Sequence, residues 1–235
     1  MGTFCVNFHV KSESRKSVTK VLKTLINTRA YVSSSRDGWI SVFEERTSLQ
    51  EEEEIRRLGQ ELSSHLESVV FGFLVHDSDV LHYWLFEEGR VHDEYDSWPN
   101  YFRPVPEATA QRLQGNPDVL LKFCRSGTTR ETLQGLLGQG PKAFGEMAEG
   151  KLAKLATLLG IDPLRRLWTS APLSKETLAL MKSMPNWFQA PVPVSMGEPE
   201  TSAMSYLLAS ISAGSRFAKC MRRGGRTLRA LSSAP

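Results

Sequence analysis

Cysteine is scarce in this 235-residue chain, where it occurs only at positions 5, 124 and 220. No C-x-x-C pair is present, so a zinc ribbon or a thioredoxin-like redox site is not expected. An odd number of widely separated cysteines does not suggest a disulfide framework either, and this favours a reducing compartment.

Long apolar runs and targeting signals are also missing. The longest apolar run, residues 69–75, is far shorter than the roughly 20 residues of a membrane-spanning helix. No basic segment followed by an apolar stretch stands near Met1, and Val6 does not fit the motif for N-myristoylation of Gly2. We therefore predict a cytoplasmic protein with no transmembrane segment.

Signatures of common enzyme families do not occur. Gly135, Gly138 and Gly140 lie among predicted helices and do not form a phosphate-binding loop after a strand. There is no G-x-S-x-G, H-E-x-x-H or protein-kinase motif. The sequence therefore assigns no cofactor, no metal ligand and no catalytic residue.

Charge is nearly balanced over the whole chain but unevenly distributed. The net charge of +3 gives no argument for nucleic-acid binding by the protein as a whole. Residues 1–102 hold 11 Lys/Arg against 17 Asp/Glu, a balance of −6, whereas residues 171–235 hold 8 against 3, a balance of +5. The two regions could attract one another, or the C-terminal one could bind an acidic partner.

What the chain does contain is a regular succession of strand and helix patterns. Apolar periodicity predicts strands over residues 3–10, 30–34, 39–45 and 69–76, the first of them half-buried. A helix follows the cap Ser14, a hairpin turn stands at Asp37-Gly38, and the capping box Ser48-x-x-Glu51 opens a second helix. This order predicts an α+β fold with a ferredoxin-like (βαββαβ) antiparallel sheet and both helices on one face.

Two further strands, residues 80–86 and 90–95, are predicted to extend this sheet as a meander. With tight turns, Val75 would lie opposite Val80 and Phe86 opposite Val91. Period-two alternation then assigns six residues to one face of the sheet: Phe71, Phe73, His82, Trp84, Asp93 and Tyr95.

Short capped helices are predicted after the sheet. Asn116 precedes Pro117, Thr128-x-x-Glu131 is a capping box, and Gly160 closes a helix over residues 144–159. We predict three regions: the ferredoxin-like domain over residues 1–104, a helical region packed on it over residues 105–184, and a proline-rich linker with a flexible basic arm over residues 185–235.

Three groups of residues are candidate sites, each with a structural alternative. His76, Asp77 and Asp79 could help to bind Mg²⁺, Mn²⁺ or Ca²⁺, but Asp also favours β-turns, and the acidic residues near Asp93 lie about 17 Å away by strand rise. His82 with Asp93 could form a general base or a ligand pocket, or a buried polar pair that fixes the strand register. Residues 97–102, which include Trp98 and Tyr101, could bind a partner or pack on the sheet.

The C-terminal tail carries six basic residues and no acidic residue between Arg216 and Arg229. These residues could contact nucleic-acid phosphates or an anionic membrane, or they could simply keep the terminus soluble.

Several short segments resemble a group of uncharacterised bacterial proteins: GWISV at 38–42, VHDSD at 75–79, YWLF at 83–86, DEY at 93–95 and PNYF at 99–102. The likeness covers roughly residues 1–125, extends at most to about residue 168, and leaves out the tail. It implies a bacterial origin and a shared fold, and it supplies no catalytic residues because the group has no established activity.

Taken together, the sequence predicts a non-enzymatic binding or regulatory module with an unknown protein or small-molecule partner. The candidate ligand-binding residues are His82, Trp84, Asp93, Tyr95, Trp98 and Tyr101. One alternative is a metal-dependent hydrolase that uses the acidic and histidine residues of the meander. The other is an accessory protein that binds nucleic acid or a membrane surface through the basic tail.

Overall fold

The structure, a computed structural model, describes residues 2–140 and 147–162. This part of the chain has an α+β fold with one six-stranded antiparallel sheet. The strands are β1 Cys5–Lys11, β2 Ala30–Val32, β3 Trp39–Glu44, β4 Val70–His76, β5 Val80–Glu87 and β6 Arg90–Asp96. The helices are α1 Arg15–Leu25, α2 Glu52–Leu66, α3 Glu107–Arg112, α4 Pro117–Leu121, α5 Arg130–Leu136 and α6 Ala148–Leu159, with a 3₁₀ turn over Thr47–Leu49.

The strand order across the sheet is β2-β3-β1-β4-β5-β6, and every neighbouring pair is antiparallel. Helices α1 and α2 bury their apolar sides on the same face of the sheet, through Val18 and Leu22 of α1 and Ile55, Leu58 and Leu62 of α2. The predicted α+β class and antiparallel sheet, with its two added strands, are therefore confirmed.

The opposite face of the sheet is covered by α4, α5 and α6. Their buried leucines, among them Leu120, Leu133 and Leu152, pack against the aromatic rings of β4 and β5. The indole N–H of Trp39 in β3 donates to the Leu159 carbonyl at the end of α6, at 3.1 Å. Full burial of a leucine or phenylalanine side chain contributes roughly 1.5–3 kcal/mol to stability. The buried side chains of both helical layers therefore stabilise the sheet.

Local sequence signals explain several boundaries. The Ser14 hydroxyl accepts a hydrogen bond from the Ser17 N–H at 3.2 Å and caps α1. The Asn116 side chain caps α4 in the same way. Asp37 and Gly38 have φ of +52° and +78°, as a two-residue hairpin turn requires. These three predictions are confirmed.

Other local predictions are wrong. The Ser48 hydroxyl donates to the Glu44 carbonyl at 2.9 Å instead of capping a helix, and α2 begins only after Glu51. Thr129, not Thr128, caps α5. Strand β1 is not half-buried, because six of its seven residues are buried. The alternation of polar and apolar residues along β1 did not reveal that α4 to α6 cover its second face.

The predicted alignment of β5 with its neighbours is also wrong. Val80 pairs with His76 rather than with Val75, because the turn contains only residues 77–79. Phe86 does pair with Val91, next to the β5–β6 turn. A bulge between Leu85 and Phe86 then shifts by one position all the pairs that lie farther from this turn, from Leu85–Asp93 to His82–Asp96. A shift of one residue moves a side chain to the other face of a sheet.

The predicted arm and most of the helical region beyond α6 are not part of the described structure. Residues 141–146 and 163–235 lie outside the described residues, and with them the predicted boundary at residue 184.

Helix α2 approaches the sheet closely at Gly59. A Cβ atom at this position would lie 2.2 Å from Cε2 of Phe86 in β5, whose ring is fully buried and cannot move aside. We expect Gly59→Ala to lower the free energy of unfolding, because overpacking costs roughly 1–3 kcal/mol and this clash is severe, whereas the gain in helix propensity is about 1 kcal/mol. Urea denaturation measures the difference.

Gly135 in α5 is the matched control, since nothing lies within 4 Å of a Cβ placed there. Gly135→Ala should leave the stability unchanged or raise it by up to about 1 kcal/mol. Equal stabilities of the Gly59→Ala variant and the wild type would contradict the close packing of α2 on β5.

Candidate functional site

The six residues predicted to share one face of the sheet lie on two faces, because His82 and Trp84 lie on the face opposite to Phe71 and Phe73. His82 and Trp84 point to the side of α1 and α2, where Trp84 belongs to the core. Tyr95 belongs to the core on the opposite side, and Asp93 hydrogen-bonds there to Tyr83. The proposed His82–Asp93 pair does not exist, because the bulge places Asp96 opposite His82 and Leu85 opposite Asp93.

The carboxylate next to His82 is Glu94, which the sequence pattern placed only among the acidic residues near Asp93 that could help to bind a metal ion. One of its oxygens, Oε1, accepts hydrogen bonds from the imidazole Nε2–H of His82 and the indole Nε1–H of Trp84, both at 3.0 Å, and from Arg56. The other oxygen accepts from Arg112 at 2.7 Å. Glu94 is only 4% exposed. Four donors from β5, α2 and the end of α3 therefore hold one buried carboxylate on β6.

This network keeps Glu94 ionised. Burial alone would raise the pKa of Glu94, but the hydrogen bond from His82 and the charges of His82, Arg56 and Arg112 outweigh it, so its pKa lies below the ordinary value. The His82 ring also stacks on Trp84, with centroids 3.8 Å apart. Since all these groups are occupied with one another, the arrangement fixes the edge strand β6 to the rest of the fold.

On the other face, Tyr83 and Asp93 form a second polar pair. The Tyr83 hydroxyl donates to Asp93 Oδ2 at 2.6 Å, and the Asn116 N–H donates to the same oxygen at 3.1 Å. Burial raises the pKa of Asp93, although both hydrogen bonds act in the opposite direction. Lys151 of α6 donates to the Tyr95 hydroxyl at 2.8 Å, which links the helical layer to the edge of the sheet.

A third polar cluster lies in the middle of the sheet. The imidazole of His9 hydrogen-bonds to Ser41 Oγ through Nδ1 and to Asn7 Oδ1 through Nε2, both at 3.0 Å. Such a row of Ser, His and Asn resembles the constellation of a hydrolase. However, His9 is 0% and Ser41 1% exposed, so the hydroxyl has no access to a substrate in this structure. The cluster satisfies polar groups between the sheet and its helical cover.

A surface of a different kind lies at the end of the sheet where β4 turns into β5. The exposed rings of Phe4 and Phe102 each pack edge-on against His76, with centroids 4.8 Å apart. Gln50 Oε1 accepts from His76 Nδ1–H at 2.7 Å, and the Ala148 N–H donates to the Ser78 carbonyl at 2.9 Å.

These two hydrogen bonds bring Leu49, which precedes Gln50, and Met147, which precedes Ala148, to the same end of the sheet. We call this surface the sheet-end patch and define it by Phe4, Leu49, His76, Tyr101, Phe102 and Met147.

Two of the predicted site residues, Trp98 and Tyr101, lie in the loop that contributes Phe102 to this patch. Trp98 is half-buried, and its ring lies 5.1 Å from that of Tyr101. Tyr101 in turn lies 5.9 Å from His76 and donates to Asp79 at 3.2 Å. The loop therefore contacts the end of β4 through Tyr101 and presents Phe102, which is 69% exposed, to the solvent.

Two aspartates stand in the turn inside the patch. Asp77 and Ser78 have φ of +49° and +62°, so the predicted β-turn is present. Burial lowers the pKa of His76, while the charges of Asp77 and Asp79 act in the opposite direction. The imidazole is thus kept neutral next to two exposed carboxylates.

Within residues 2–140 and 147–162, no group of three or more His, Cys, Asp or Glu side chains is placed to hold a metal ion. Two open grooves, of about 330 and 400 Å³, run beside α1, and none of the predicted site residues lines them. Among the described helices, none has the length and apolar character needed to cross a membrane.

The role of the Glu94 network can be tested by removing its charge. We expect Glu94→Gln to lower the free energy of unfolding by roughly 2–3 kcal/mol at pH 7, because the half-buried Arg56 loses its ionised partner. The lowered pKa of Glu94 means that the stabilisation is present above the unfolded-state pKa, near 4.3, and is lost as the pH falls through the folded-state value. The difference between variant and wild type, measured by urea denaturation, should therefore shrink below about pH 4.

Glu52→Gln provides the control, because Glu52 is exposed and accepts from the same Arg56 at 2.8 Å. This exposed pair should contribute less than about 1 kcal/mol. A Glu52→Gln cost as large as that of Glu94→Gln would contradict the central position of Glu94.

Comparisons with known proteins do not assign the chain to a family. No protein-family model matches the sequence, and no curated protein or solved structure matches it at a significant level. The resemblance to a bacterial group therefore stays a prediction, and function has to be argued from the residues themselves.

Proposed function

We propose that the protein is a non-enzymatic binding module that contacts its partner through the sheet-end patch. One observation carries this proposal. Five large hydrophobic side chains of the described residues are exposed, and four of them belong to the patch: Phe4, Leu49, Phe102 and Met147 are 38%, 63%, 69% and 64% exposed. The fifth, Leu121, lies elsewhere in α4. Clustered apolar side chains on a surface are typical of interaction sites.

The geometry of the patch suits a partner surface. Edge-to-face contacts hold Phe4 and Phe102 against His76, so the rings lose little further freedom when a ligand binds. Tyr101 adds an aromatic ring with a polar end, the kind of residue that is enriched among binding hot spots. Asp77 and Asp79 add negative charge at the centre, which favours a partner with cationic side chains next to apolar ones.

The polar clusters elsewhere support a binding role more than catalysis. Glu94, Asp93 and His9 already hydrogen-bond to neighbouring residues, and Glu94 and His9 are almost completely buried. Each cluster joins strands or layers, which explains its residues without a reaction. We therefore favour the binding module over a metal-dependent hydrolase. The alternative through the basic tail concerns residues outside the described part of the chain.

We also propose that β1 to β4 with α1 and α2 form a ferredoxin-like unit, to which β5 and β6 are added at one edge. The order β2-β3-β1-β4, the antiparallel pairing and the two helices on one face support this classification. A bacterial origin and a cytoplasmic location remain part of the proposal.

Selection from a random-peptide display library against the full-length protein tests the binding role. We expect enrichment of peptides with Lys or Arg next to aromatic or aliphatic residues. Phe102→Ala should weaken the binding of a selected peptide at least tenfold, since it removes the most exposed ring of the patch. Isothermal titration calorimetry measures the dissociation constant, and circular dichroism verifies that the variant is folded.

Leu121→Ala is the control, because it also truncates an exposed hydrophobic side chain but lies outside the patch. It should leave the affinity unchanged. Selected peptides that bind the Phe102→Ala and Tyr101→Ala variants as well as the wild type would refute the assignment of this surface.

A further inference from the structure

We propose that residues 216–229 of this chain bind the sheet-end patch and compete there with the partner. The inference rests on the function proposed above, because it concerns the same surface. It identifies one occupant of the patch and gives the protein a means of limiting access to it.

The first support is the charge state of the turn in the patch. Asp77 and Asp79 are exposed, and no basic side chain of the described residues lies within ion-pair distance of either. Some exposed acidic residues elsewhere in the described part have such partners, as in the Asp37–Arg125 and Asp118–Arg130 pairs at 2.9 Å, whereas others, such as Glu53 and Glu88, have no ion-pair partner in that part. Asp77 and Asp79 differ from Glu53 and Glu88 in their position beside the aromatic rings of the patch, where Asp79 accepts from the Tyr101 hydroxyl at 3.2 Å.

The second support is the sequence of the segment. Residues 216–229 lie outside the described part of the chain, but they contain six basic residues, no acidic one, and the aromatic Phe217. Lys and Arg can pair with Asp77 and Asp79, and an Arg guanidinium can lie over the exposed ring faces of Tyr101 or Phe102. Charge and apolar character of segment and patch are therefore complementary.

The third support is chain length. The last described residue, Asp162, is paired with Arg36 near the β2–β3 hairpin, at the end of the sheet opposite the patch. Strand β1 spans seven residues between these ends, roughly 23 Å at the usual rise per residue. The 53 residues between Asp162 and Arg216 can cover this distance several times over. A tethered segment also acts at a raised effective concentration, so weak contacts suffice.

Zero-length crosslinking with a carbodiimide tests the proposal on the full-length protein. The reagent joins a carboxylate to an amine, and Lys219 is the only lysine after Lys182. Mass spectrometry of the monomer should find Lys219 joined to Asp77 or Asp79. High salt should reduce the yield of this product severalfold, because the contact is between exposed charges.

The control separates a specific contact from general attraction. Glu87→Gln/Glu88→Gln removes two charges from the β5–β6 turn at the opposite end of β5 and should leave crosslinking at Asp77 and Asp79 unchanged. Asp77→Asn should shift the crosslink to Asp79, and Asp79→Asn should shift it to Asp77. Crosslinks of Lys219 that are spread over other acidic residues would overturn the proposal. So would crosslinks that, in a mixture of unlabelled and isotope-labelled protein, join only different chains.

A binding measurement distinguishes failure of this inference from failure of the proposed function. Replacing Arg222, Arg223 and Arg226 by Ser in the full-length protein should tighten the binding of a display-selected peptide severalfold, because the competing segment is weakened. An unchanged dissociation constant would refute competition by the tail and leave peptide binding by the patch intact. If no peptide binds to any variant, the proposed function fails, whereas the crosslink still decides whether the segment contacts the patch.

Discussion

Burial of the central strands on both faces is the constraint from which the rest of the structure follows. Strands β1, β4 and β5 are covered by α1 and α2 on one side and by α4 to α6 on the other. A sheet with two covered faces leaves only its edges and ends to the solvent. Of the five large hydrophobic side chains that are exposed in the described residues, four lie at one end of the sheet, where aromatic rings surround the β4–β5 turn, and the fifth, Leu121, lies on α4. The position of the candidate site is a consequence of the layered core.

The same constraint explains the polar clusters. A polar group between two apolar layers costs free energy unless it is hydrogen-bonded. Glu94 meets this requirement with four donors, and His9 with Ser41 and Asn7. Such residues look like active-site components in a sequence, because histidine and acidic residues in strands suggest catalysis. In the folded protein they are occupied by their neighbours.

Sequence alone predicts the elements well and the neighbourhoods poorly. The Ser14 cap and the Asp37-Gly38 turn depend on local chemistry, which the sequence displays directly. The alignment of β5 and β6 depends on a bulge that no residue between 85 and 92 indicates in the sequence. Because β5 carries large apolar residues on both faces, either alignment buries an apolar set, and the pattern cannot select between them. Leu49 is isolated in the sequence, and Met147 fits the apolar pattern of the predicted helix over residues 144–159, although it precedes α6 and is exposed; only the fold brings both to the end of the sheet.

We propose that the end of the sheet, and not one of its faces or the grooves beside α1, receives the partner. NMR chemical-shift mapping on the isotopically labelled full-length protein, titrated with a display-selected peptide, tests this claim most directly. We expect the largest shifts on Phe4, on residues 76–79 and on residues 101–102. Shifts concentrated on Lys20, Thr24 and His65, which line the grooves beside α1, would contradict it.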